Sequence, residues 1–274
     1  MRFSGKVAFI TGGGGGLGEA FGHALAAEGA RIALVDIDGA AATRVAGELE
    51  ALGYEALALG CNITDEHAVE AAVQQVIDRF GRIDILVNNA ALHRRKYNQP
   101  FTDLPRSDAR ALFEVNVMGV VNCSVACRPA LAAAGNGVVV NIASTSSNQS
   151  RTPYGVSKLA VRGLTTAFAH EFGADGIRVN AISPGFVGSA GDLASIARED
   201  LIAILTALGA LVPPQVLDKC SNDDLIAIVT GLQSVSREGT PDDVVQALLY
   251  LCSESSGYVT GETLRIAGGS SISF

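Results

Sequence analysis

The chain has 274 residues, of which 48% are hydrophobic and 18% charged. This composition excludes a disordered chain and suffices for one large α/β domain or two small ones. The formal net charge of −8 argues against a nucleic-acid groove. No apolar run reaches the ~18 residues of a membrane span, and the first residues lead directly into a strand, so neither a membrane segment nor a signal peptide is expected.

The cysteines and histidines indicate neither a disulfide framework nor a metal site. Five cysteines, an odd number, are scattered without a Cys-x-x-Cys pair, which is typical of a reduced cytoplasmic protein. The four histidines have no ligand spacing with each other or with cysteine. We therefore expect a cytoplasmic protein without a bound metal.

The first element is a short apolar strand at residues 7–11. It leads into the run Gly-Gly-Gly-Gly-Gly-Leu-Gly at 12–18, after which a helical pattern begins. Between a strand and a helix, a glycine loop lets the backbone approach a pyrophosphate, and the helix N-terminus offers free N–H groups. The run predicts a nucleotide-phosphate site. A flexible tight turn is the alternative.

The second strand, at residues 31–36, ends in Asp36. An acid ~20 residues after a glycine loop accepts hydrogen bonds from the ribose hydroxyls of adenosine. It would also repel a 2′-phosphate, and no Arg or Lys lies in the loop or directly after Asp36. Asp36 therefore favours NAD over NADP. An acid that caps the next helix is the alternative.

Strands and helices continue to alternate along the chain. Further strands are predicted at 55–60, 83–87, 138–142 and 177–182, and an amphipathic helix at 65–80. This order predicts an α/β fold with a parallel, doubly wound sheet and helices on both faces, which binds ligands beyond the carboxyl ends of its strands. The residues at such ends are Thr11, Asp36, Asn62, Asn88 and Ala90.

A tyrosine and a lysine, Tyr154 and Lys158, lie four residues apart and would share one face of a helix. An ammonium group one turn away lowers the pKa of a tyrosine from ~10, which makes a usable general acid or base. A chance pairing is the alternative. The helix is predicted by Pro153 in its first turn and by an apolar stripe at helical spacing, which consists of Leu159, Val161, Leu164, Phe168 and Phe172.

Several motifs follow one another in an order that identifies a family. They are Thr11-Gly12-x-x-x-Gly16-x-Gly18, Asn88-Asn89-Ala90, Asn116, Ser144, Tyr154-x-x-x-Lys158 and Asn180 followed by Pro184-Gly185. In this order they resemble the classical short-chain dehydrogenase/reductase family. The resemblance extends from residue 5 to about residue 269, and the motifs are jointly specific.

The resemblance implies a single Rossmann-type domain over residues 1–274 and hydride transfer between nicotinamide C4 and a carbonyl carbon. Tyr154 would exchange the proton of the substrate hydroxyl, and Lys158 would lower the pKa of the tyrosine and hold the nicotinamide ribose. Ser144 would hold the substrate oxygen, and Asn116 a water that relays protons to Lys158. NAD is expected to contact Gly12, Gly16, Leu17, Gly18, Asp36, Asn62, Ile63, Asn89, Ala90, Tyr154, Lys158, Pro184, Gly185, Val187 and Ser189.

Three single positions depart from the family pattern. Asn62 stands where an aspartate is usual, although its amide oxygen can still accept from the adenine amino group. Ala91 replaces a glycine, which is a small change. Ser189 stands where a threonine often binds the nicotinamide carboxamide, and its hydroxyl can substitute.

The spacing between Ser144 and Tyr154 is a further departure, because it is a few residues shorter than usual. A shorter loop could reshape the wall of the substrate site or turn another serine inward. Ser144 fits the end of its strand best. Ser146 and Ser147 are the alternatives.

Residues 186–236 form the segment that, by resemblance, folds over the substrate, and the segment is longer than the usual lid. The sequence Asp-Leu-Ile-Ala-Ile at 200–204 returns at 224–228, which indicates a local duplication that enlarged a helical lid. We expect this lid to shield a bulky apolar substrate from water. The alternative is that the second helix only covers the protein surface or takes part in a subunit interface.

The basic segment at 93–97, together with Arg151, could attract an acidic substrate, although a solvated basic surface is the alternative. A hydrophobic acid would satisfy both this segment and an apolar lid. The resemblance implies a homotetramer or homodimer that acts on a small molecule, without nucleic-acid or membrane partners.

The sequence therefore predicts a cytoplasmic, NAD-dependent oxidoreductase that acts on a secondary alcohol or its ketone. Two alternatives stay open. The first is an NAD-binding regulatory protein that has lost turnover. The second is an NADP-dependent ketone reductase, which would require a different role for Asp36.

Overall fold

Seven parallel strands form one sheet at the centre of the computed structural model. Their order in space is β3-β2-β1-β4-β5-β6-β7, so the chain moves outward from β1 to β3, returns to the other side of β1 at β4, and continues to β7. The strands are β1 Val7–Thr11, β2 Arg31–Asp36, β3 Ala56–Gly60, β4 Ile85–Asn88, β5 Val138–Ile142, β6 Arg178–Pro184 and β7 Thr263–Ile266.

Helices cover both faces of this sheet. They are α1 Gly16–Ala27, α2 Gly39–Ala51, α3 Glu66–Phe80, α4 Arg94–Tyr97, α5 Arg106–Phe113, α6 Gly119–Ala133, α7 Ser146–Gln149, α8 Pro153–Phe172, α9 Asn222–Gly231 and α10 Pro241–Cys252. Buried side chains of α1, α2 and α10 pack on one face, and those of α3, α6 and α8 on the other. The predicted doubly wound, parallel sheet is confirmed.

The predicted strands agree with the observed ones to within about two residues. Asp84, one residue before β4, already takes part in the ladder, because its N–H donates to the carbonyl of Val7 at 2.9 Å. β6 extends to Pro184, because that residue pairs with Ile266.

Helix α8 begins where the sequence predicts. Thr152 caps it, since its Oγ1 accepts from the N–H of Gly155 at 3.3 Å, and Pro153 occupies the first turn. The predicted apolar stripe was wrong at Leu159, which is 45% exposed. Leu159 directly follows Lys158, and the rotation that buries the lysine turns its neighbour outward.

One continuous helical run, Arg106–Ala133, joins α5, a π-helical turn at Glu114–Met118, and α6. Among the residues that the structure describes, it is the one helix whose length and composition would allow it to cross a membrane. The core helix of a soluble protein can have the same length and composition. This run buries Leu112, Cys123 and Leu131 fully, as a core helix does.

The structure describes residues 1–92, 94–187, 219–231, 233–235 and 237–270, together with 198, 201, 202, 205 and 216. Ser189, His93 and most of the predicted lid at 186–236 lie outside these residues. Within the described part of the lid, one apolar cluster contains Leu201 of the first repeat, Leu225 of the second and Phe186. The two copies of the repeat therefore contribute to a common packing surface.

A chain of buried polar side chains connects the sheet to the helices on the face of α8. Asn88 Nδ2 donates to Asn141 Oδ1 at 2.8 Å and to Ser124 Oγ at 3.1 Å. Asn141 Nδ2 donates to Thr165 Oγ1 at 3.0 Å, and Thr165 donates to the carbonyl of Val161 at 2.8 Å. Buried polar groups are costly without partners, so each member depends on the next.

We predict that Thr165→Val lowers the free energy of unfolding by about 1–3 kcal/mol, because it leaves the buried Asn141 amide without its acceptor while preserving the shape of the side chain. Thr166→Val is the matched control on the same helix, since Thr166 is exposed, and it should change stability by less than about 0.5 kcal/mol. Urea denaturation measures both. Equal effects of the two substitutions would contradict the role of the chain of amides.

Candidate active site

A cavity of about 600 Å³ opens at the carboxyl ends of the strands. It brings together residues that are far apart in the sequence, as expected for the ligand site of such a sheet. The predicted site residues that line it are Gly12, Gly16, Leu17, Asp36, Asn62, Ile63, Asn89, Ala90, Ser144, Tyr154, Lys158, Pro184, Gly185 and Val187.

Three predicted residues are not part of this lining. Gly18 and Asn116 lie behind the wall, and Ser189 lies outside the described residues. The sequence interpretation also missed several lining residues, which are mostly apolar: Gly15, Val35, Ile37, Cys61, Ala91, Leu92, Val115, Ile142, Ala143 and Pro241. Most of these residues are adjacent in the sequence to a predicted site residue. This adjacency is the signal that could have identified them.

The glycine loop passes very close to the end of β4. A Cβ atom on Gly12 would lie 2.9 Å from Cα of Ala90, and Gly12 has φ +65°, a conformation that favours glycine. A Cβ atom on Gly18 would overlap the carbonyl oxygen of Gly12. Gly18 therefore allows the start of α1 to pack against the loop rather than lining the cavity.

Thr11 and Asn89 connect β1 to β4 at the cavity floor. Thr11 Oγ1 accepts from the backbone N–H groups of Asn89 and Ala90, both at 3.0 Å. Asn89 Nδ2 donates to the carbonyls of Thr11 at 2.9 Å and Gly12 at 3.1 Å. The asparagine side chain therefore holds the start of the glycine loop.

Asp36 lines the cavity and is also bonded to its surroundings. Its Oδ2 accepts from the N–H of Gly14 at 2.9 Å, and its Oδ1 from the N–H of Asp38 at 3.0 Å. The carboxylate thus contacts the glycine loop directly. Helix α2 has a separate cap, because the Asp38 side chain accepts from Ala40 and Ala41, which argues against a capping role for Asp36.

Asn62 also lines the cavity, but its amide oxygen is occupied differently from the sequence expectation. Oδ1 accepts from Thr64, at 3.2 Å from its backbone nitrogen and at 3.0 Å from its hydroxyl. The oxygen has two lone pairs, so a bond from an adenine amino group would compete with these two. The local turn at 62–64 explains the difference, since Asn side chains form such turns readily.

Tyr154 and Lys158 lie one turn apart on α8 and both face the cavity. The ammonium nitrogen of Lys158 is 6.0 Å from the centre of the Tyr154 ring and donates to the carbonyl of Ile142 at 2.7 Å. Burial lowers the pKa of Lys158 to about 8, because desolvation disfavours the charged form. The lysine is thus a buried cation beside a phenol.

The short connection between Ser144 and Tyr154 still leaves Ser144 in the cavity wall. A single helical turn, α7, spans the gap, and the chain reverses at Ser150, which has φ +49°. Gly155 permits the close approach of this turn to α8, because a Cβ there would lie 2.7 Å from the carbonyl oxygen of Ser146. Ser147 is not turned inward, since its hydroxyl donates to the carbonyl of Ser144 at 2.6 Å.

Asn116 lies in the π-helical turn, a local widening that is frequent at functional sites. Its Oδ1 accepts from the N–H of Leu92 at 2.7 Å, and its Nδ2 donates to Ser157 Oγ at 3.2 Å. The side chain thus ties the loop after β4 to helix α8. A water contact of the kind expected from the sequence would have to use the remaining capacity of the residue, such as its backbone carbonyl.

Residues 94–97 of the basic segment form the short helix α4. Lys96 pairs with Asp108 at 2.8 Å, and Tyr97 is buried in a cluster with Leu104 and Tyr154. Lys96 therefore contributes to the local structure rather than presenting an unpaired charge. Arg151 is exposed near the start of α8.

These features define an oxidoreductase of known family. The chain belongs to the short chain dehydrogenase family, whose model matches residues 6–199. A second model, described as enoyl-(acyl carrier protein) reductase, matches residues 214–271. The segment between the two matched ranges is covered by neither model and belongs to the predicted lid.

Known proteins resemble the chain over nearly its full length. It is 34% identical to the 7alpha-hydroxysteroid dehydrogenase of Escherichia coli over 98% of this chain and 95% of that protein. The crystal structure of an NAD+-bound xylitol dehydrogenase matches with a TM-score of 0.85 and 29% identity over 98% of this chain and 100% of the other. A 7 alpha-hydroxysteroid dehydrogenase in complex with NADH and 7-oxo glycochenodeoxycholic acid matches with a TM-score of 0.78 and 32% identity, over 98% and 95%.

The depressed pKa of Lys158 predicts how stability changes with pH. The unfolded chain keeps this proton up to its usual pKa of 10.5, whereas the folded protein releases it near pH 8, so the unfolded state binds more protons between these values and stability rises with pH. Relative to Lys158→Met, the wild type should gain on the order of 2–3 kcal/mol between pH 7 and pH 10.

Urea denaturation of both proteins at pH 7 and pH 10 measures this gain. Lys219→Met is the control, because Lys219 is exposed, and its difference from wild type should not depend on pH. A pH-independent difference for Lys158→Met would contradict the desolvation of this lysine.

Proposed function

We propose that this protein is an NAD-dependent dehydrogenase that interconverts a secondary alcohol and its ketone. The observation that carries the proposal is a single cavity whose wall contains Ser144, Tyr154 and Lys158 at one end and Asp36 with the glycine loop at the other. A proton-transfer group and a nucleotide-binding loop in one cavity suit hydride transfer to a dinucleotide. The family membership gives the same reaction class.

The residues present fit a bound dinucleotide. The glycines at 12 and 185 leave room where a Cβ atom would meet neighbouring backbone or side-chain atoms, and the first turn of α1 has no side-chain cap, so its N–H groups are suited to a pyrophosphate. The Asp36 carboxylate, which lines the cavity, is the group that would accept from ribose hydroxyls. Lys158 is the one Lys or Arg among the described residues of the lining, which supports NAD over NADP.

Each side chain of the reactive end has a distinct task. When bound, the nicotinamide ring supplies the hydride acceptor or donor. Tyr154 takes the proton from the substrate hydroxyl or returns it, and the Lys158 cation stabilises the phenolate. Ser144 holds the substrate oxygen by a hydrogen bond, so that charge developing on that oxygen meets a fixed donor.

The substrate that we favour is a bulky, apolar alcohol that carries an acidic group. The apolar cluster of the lid contains Phe186, whose chain neighbours Gly185 and Val187 line the cavity. Arg151 provides an exposed positive charge near the start of α8. The similar steroid dehydrogenase was solved with 7-oxo glycochenodeoxycholic acid, a hydrophobic acid of this type.

We also propose a cytoplasmic homo-oligomer formed from one domain over residues 1–274. All five cysteines are free thiols and four of them are buried, as suits a reducing compartment. Three exposed apolar side chains lie in or next to α6 and α8: Met118 directly before α6, Val125 in α6 and Leu159 in α8. If these side chains form one contiguous apolar patch, that patch would suit a protein–protein interface.

We predict that Tyr154→Phe lowers kcat by at least about 100-fold, because it removes the group that exchanges the substrate proton. The measurement is NADH formation at 340 nm with a panel of alcohols. The panel contains hydroxysteroids with and without a carboxylate, and small polyols. Hydroxysteroid carboxylates should give the highest kcat/KM.

Tyr97→Phe is the matched control, since Tyr97 is as buried as Tyr154 and belongs to the same apolar cluster, and it should retain most of the activity. Binding of NAD without turnover of any alcohol would favour a regulatory protein. Activity with NADP alone would show that the role assigned to Asp36 is wrong.

The oligomer proposal predicts that Val125→Asp lowers the molecular mass in solution, because a desolvated carboxylate at the interface opposes association. Sedimentation equilibrium measures the mass. Leu52→Asp is the control, because Leu52 is also exposed but directly follows α2, which packs on the opposite face of the sheet from α6 and α8. A monomeric wild type would contradict the proposal.

A further inference from the structure

Five consecutive glycines, at residues 12–16, form the loop at the nucleotide end of the cavity. Glycine loses more conformational freedom on ordering than any other residue, so this loop is costly to hold in one shape. Four of the five positions require glycine. Gly12 and Gly16 have positive φ, while a Cβ on Gly13 or Gly14 would lie 2.9 Å from a Leu34 side-chain atom or 2.8 Å from Ala41 Cβ, respectively.

Hydrogen bonds from the surrounding elements hold the first half of the loop. The carbonyl of Gly12 accepts from Asn89, the N–H of Gly13 donates to the carbonyl of Val35 at 3.2 Å, and the N–H of Gly14 donates to Asp36. These partners come from β2 and from the end of β4. None of these partners binds the carbonyl of Gly14, which lies at the middle of the glycine run.

Arg44 of α2 binds that carbonyl. Its Nη2 atom donates to the carbonyl oxygen of Gly14 at 3.0 Å and to Glu19 at 2.7 Å, and its Nη1 atom donates to Glu48 at 2.7 Å. Glu19 belongs to the first turn of α1, directly after the loop. The guanidinium therefore joins the loop, the helix that follows it, and α2.

We propose that Arg44 is a positioning residue for the dinucleotide, which acts by holding the glycine loop in its binding shape before the ligand arrives. Gly14 is then fixed on both sides, by Asp36 at its N–H and by Arg44 at its carbonyl. The proposal rests on the proposed binding of NAD at this loop. Arg44 does not line the cavity, so it acts through the loop and not by direct contact.

Two carboxylates and a histidine lie next to Arg44, and a role in anchoring its guanidinium explains them more simply than a metal site. Ligand atoms of Glu19, His23 and Glu48 lie within 4.8 Å of one another, which is close enough for a cation. Arg44 already supplies the positive charge between the two carboxylates. Glu19 and His23 are partly exposed and Glu48 is exposed, and we assign them to the anchoring of Arg44.

The test compares Arg44→Met with wild type by two measurements. Hydrogen exchange of the glycine amides at 12–16, followed by NMR in the protein without ligand, should become faster at Gly13 and Gly14. The Kd for NAD, measured by calorimetry, should rise about three- to fivefold, as befits the loss of an exposed ionic network. KM for NAD should rise likewise, while kcat changes less.

Arg2→Met is the matched control, because Arg2 forms an equally exposed pair with Glu28 at 2.7 Å far from the loop. It should alter neither the exchange of the loop nor the Kd. If Arg44→Met does not fold, Glu48→Gln removes one anchor of the guanidinium and should give a smaller change in the same direction.

Two results would overturn the proposal. Unchanged exchange at Gly13 and Gly14 would show that Arg44 does not hold the loop. Weaker binding of NADP with unchanged binding of NAD would make Arg44 a ligand of the 2′-phosphate instead. If wild type binds no NAD, the proposed function fails, and the exchange measurement still decides whether Arg44 orders the loop.

Discussion

The bonded junction of Thr11 and Asn89 is the interaction on which the site depends. The two side chains connect the ends of β1 and β4 at the point where the strand order reverses. Such a reversal opens a crevice at the carboxyl edge of a parallel sheet. Because Asn89 also binds the carbonyl of Gly12, the same junction sets where the glycine loop begins and how closely it passes β4.

Polar side chains around the cavity hold the backbone as well as facing the ligand space. Asp36 lines the cavity and binds Gly14, and Ser144 lines it while accepting from the N–H of Ser146 at 3.2 Å. Asn116, behind the wall, ties a loop to α8. Groups fixed in this way need little reorganisation when charge develops in a reaction. The apolar packing on the two faces of the sheet makes the site rigid. The polar contacts orient the backbone and the side chains that line the cavity.

The sequence was informative wherever the relation between residues is local. The spacing of Tyr154 and Lys158, the Thr152–Pro153 start of α8 and the strand–glycine–helix order each depend on a few neighbouring residues. Leu159 was misjudged, because periodicity does not show which side of a helix meets the sheet. The contact of Asn62 with an adenine base stays a prediction, and the sequence did not indicate that its oxygen also forms a turn with Thr64. Arg44 has no motif and was missed.

The amino-acid sequence by itself determined the class of fold, the family and the residue types that meet at the strand ends, because alternation and motif order are properties of the chain. Only the tertiary structure decided that Ser144, and not Ser147, belongs to the cavity wall, and that Arg44 reaches Gly14 from another helix. Both depend on distances of a few ångströms between segments whose approach is set by packing. The sequence does not show which residue donates to the carbonyl of Gly14, because the donor is known only when the surrounding elements are placed.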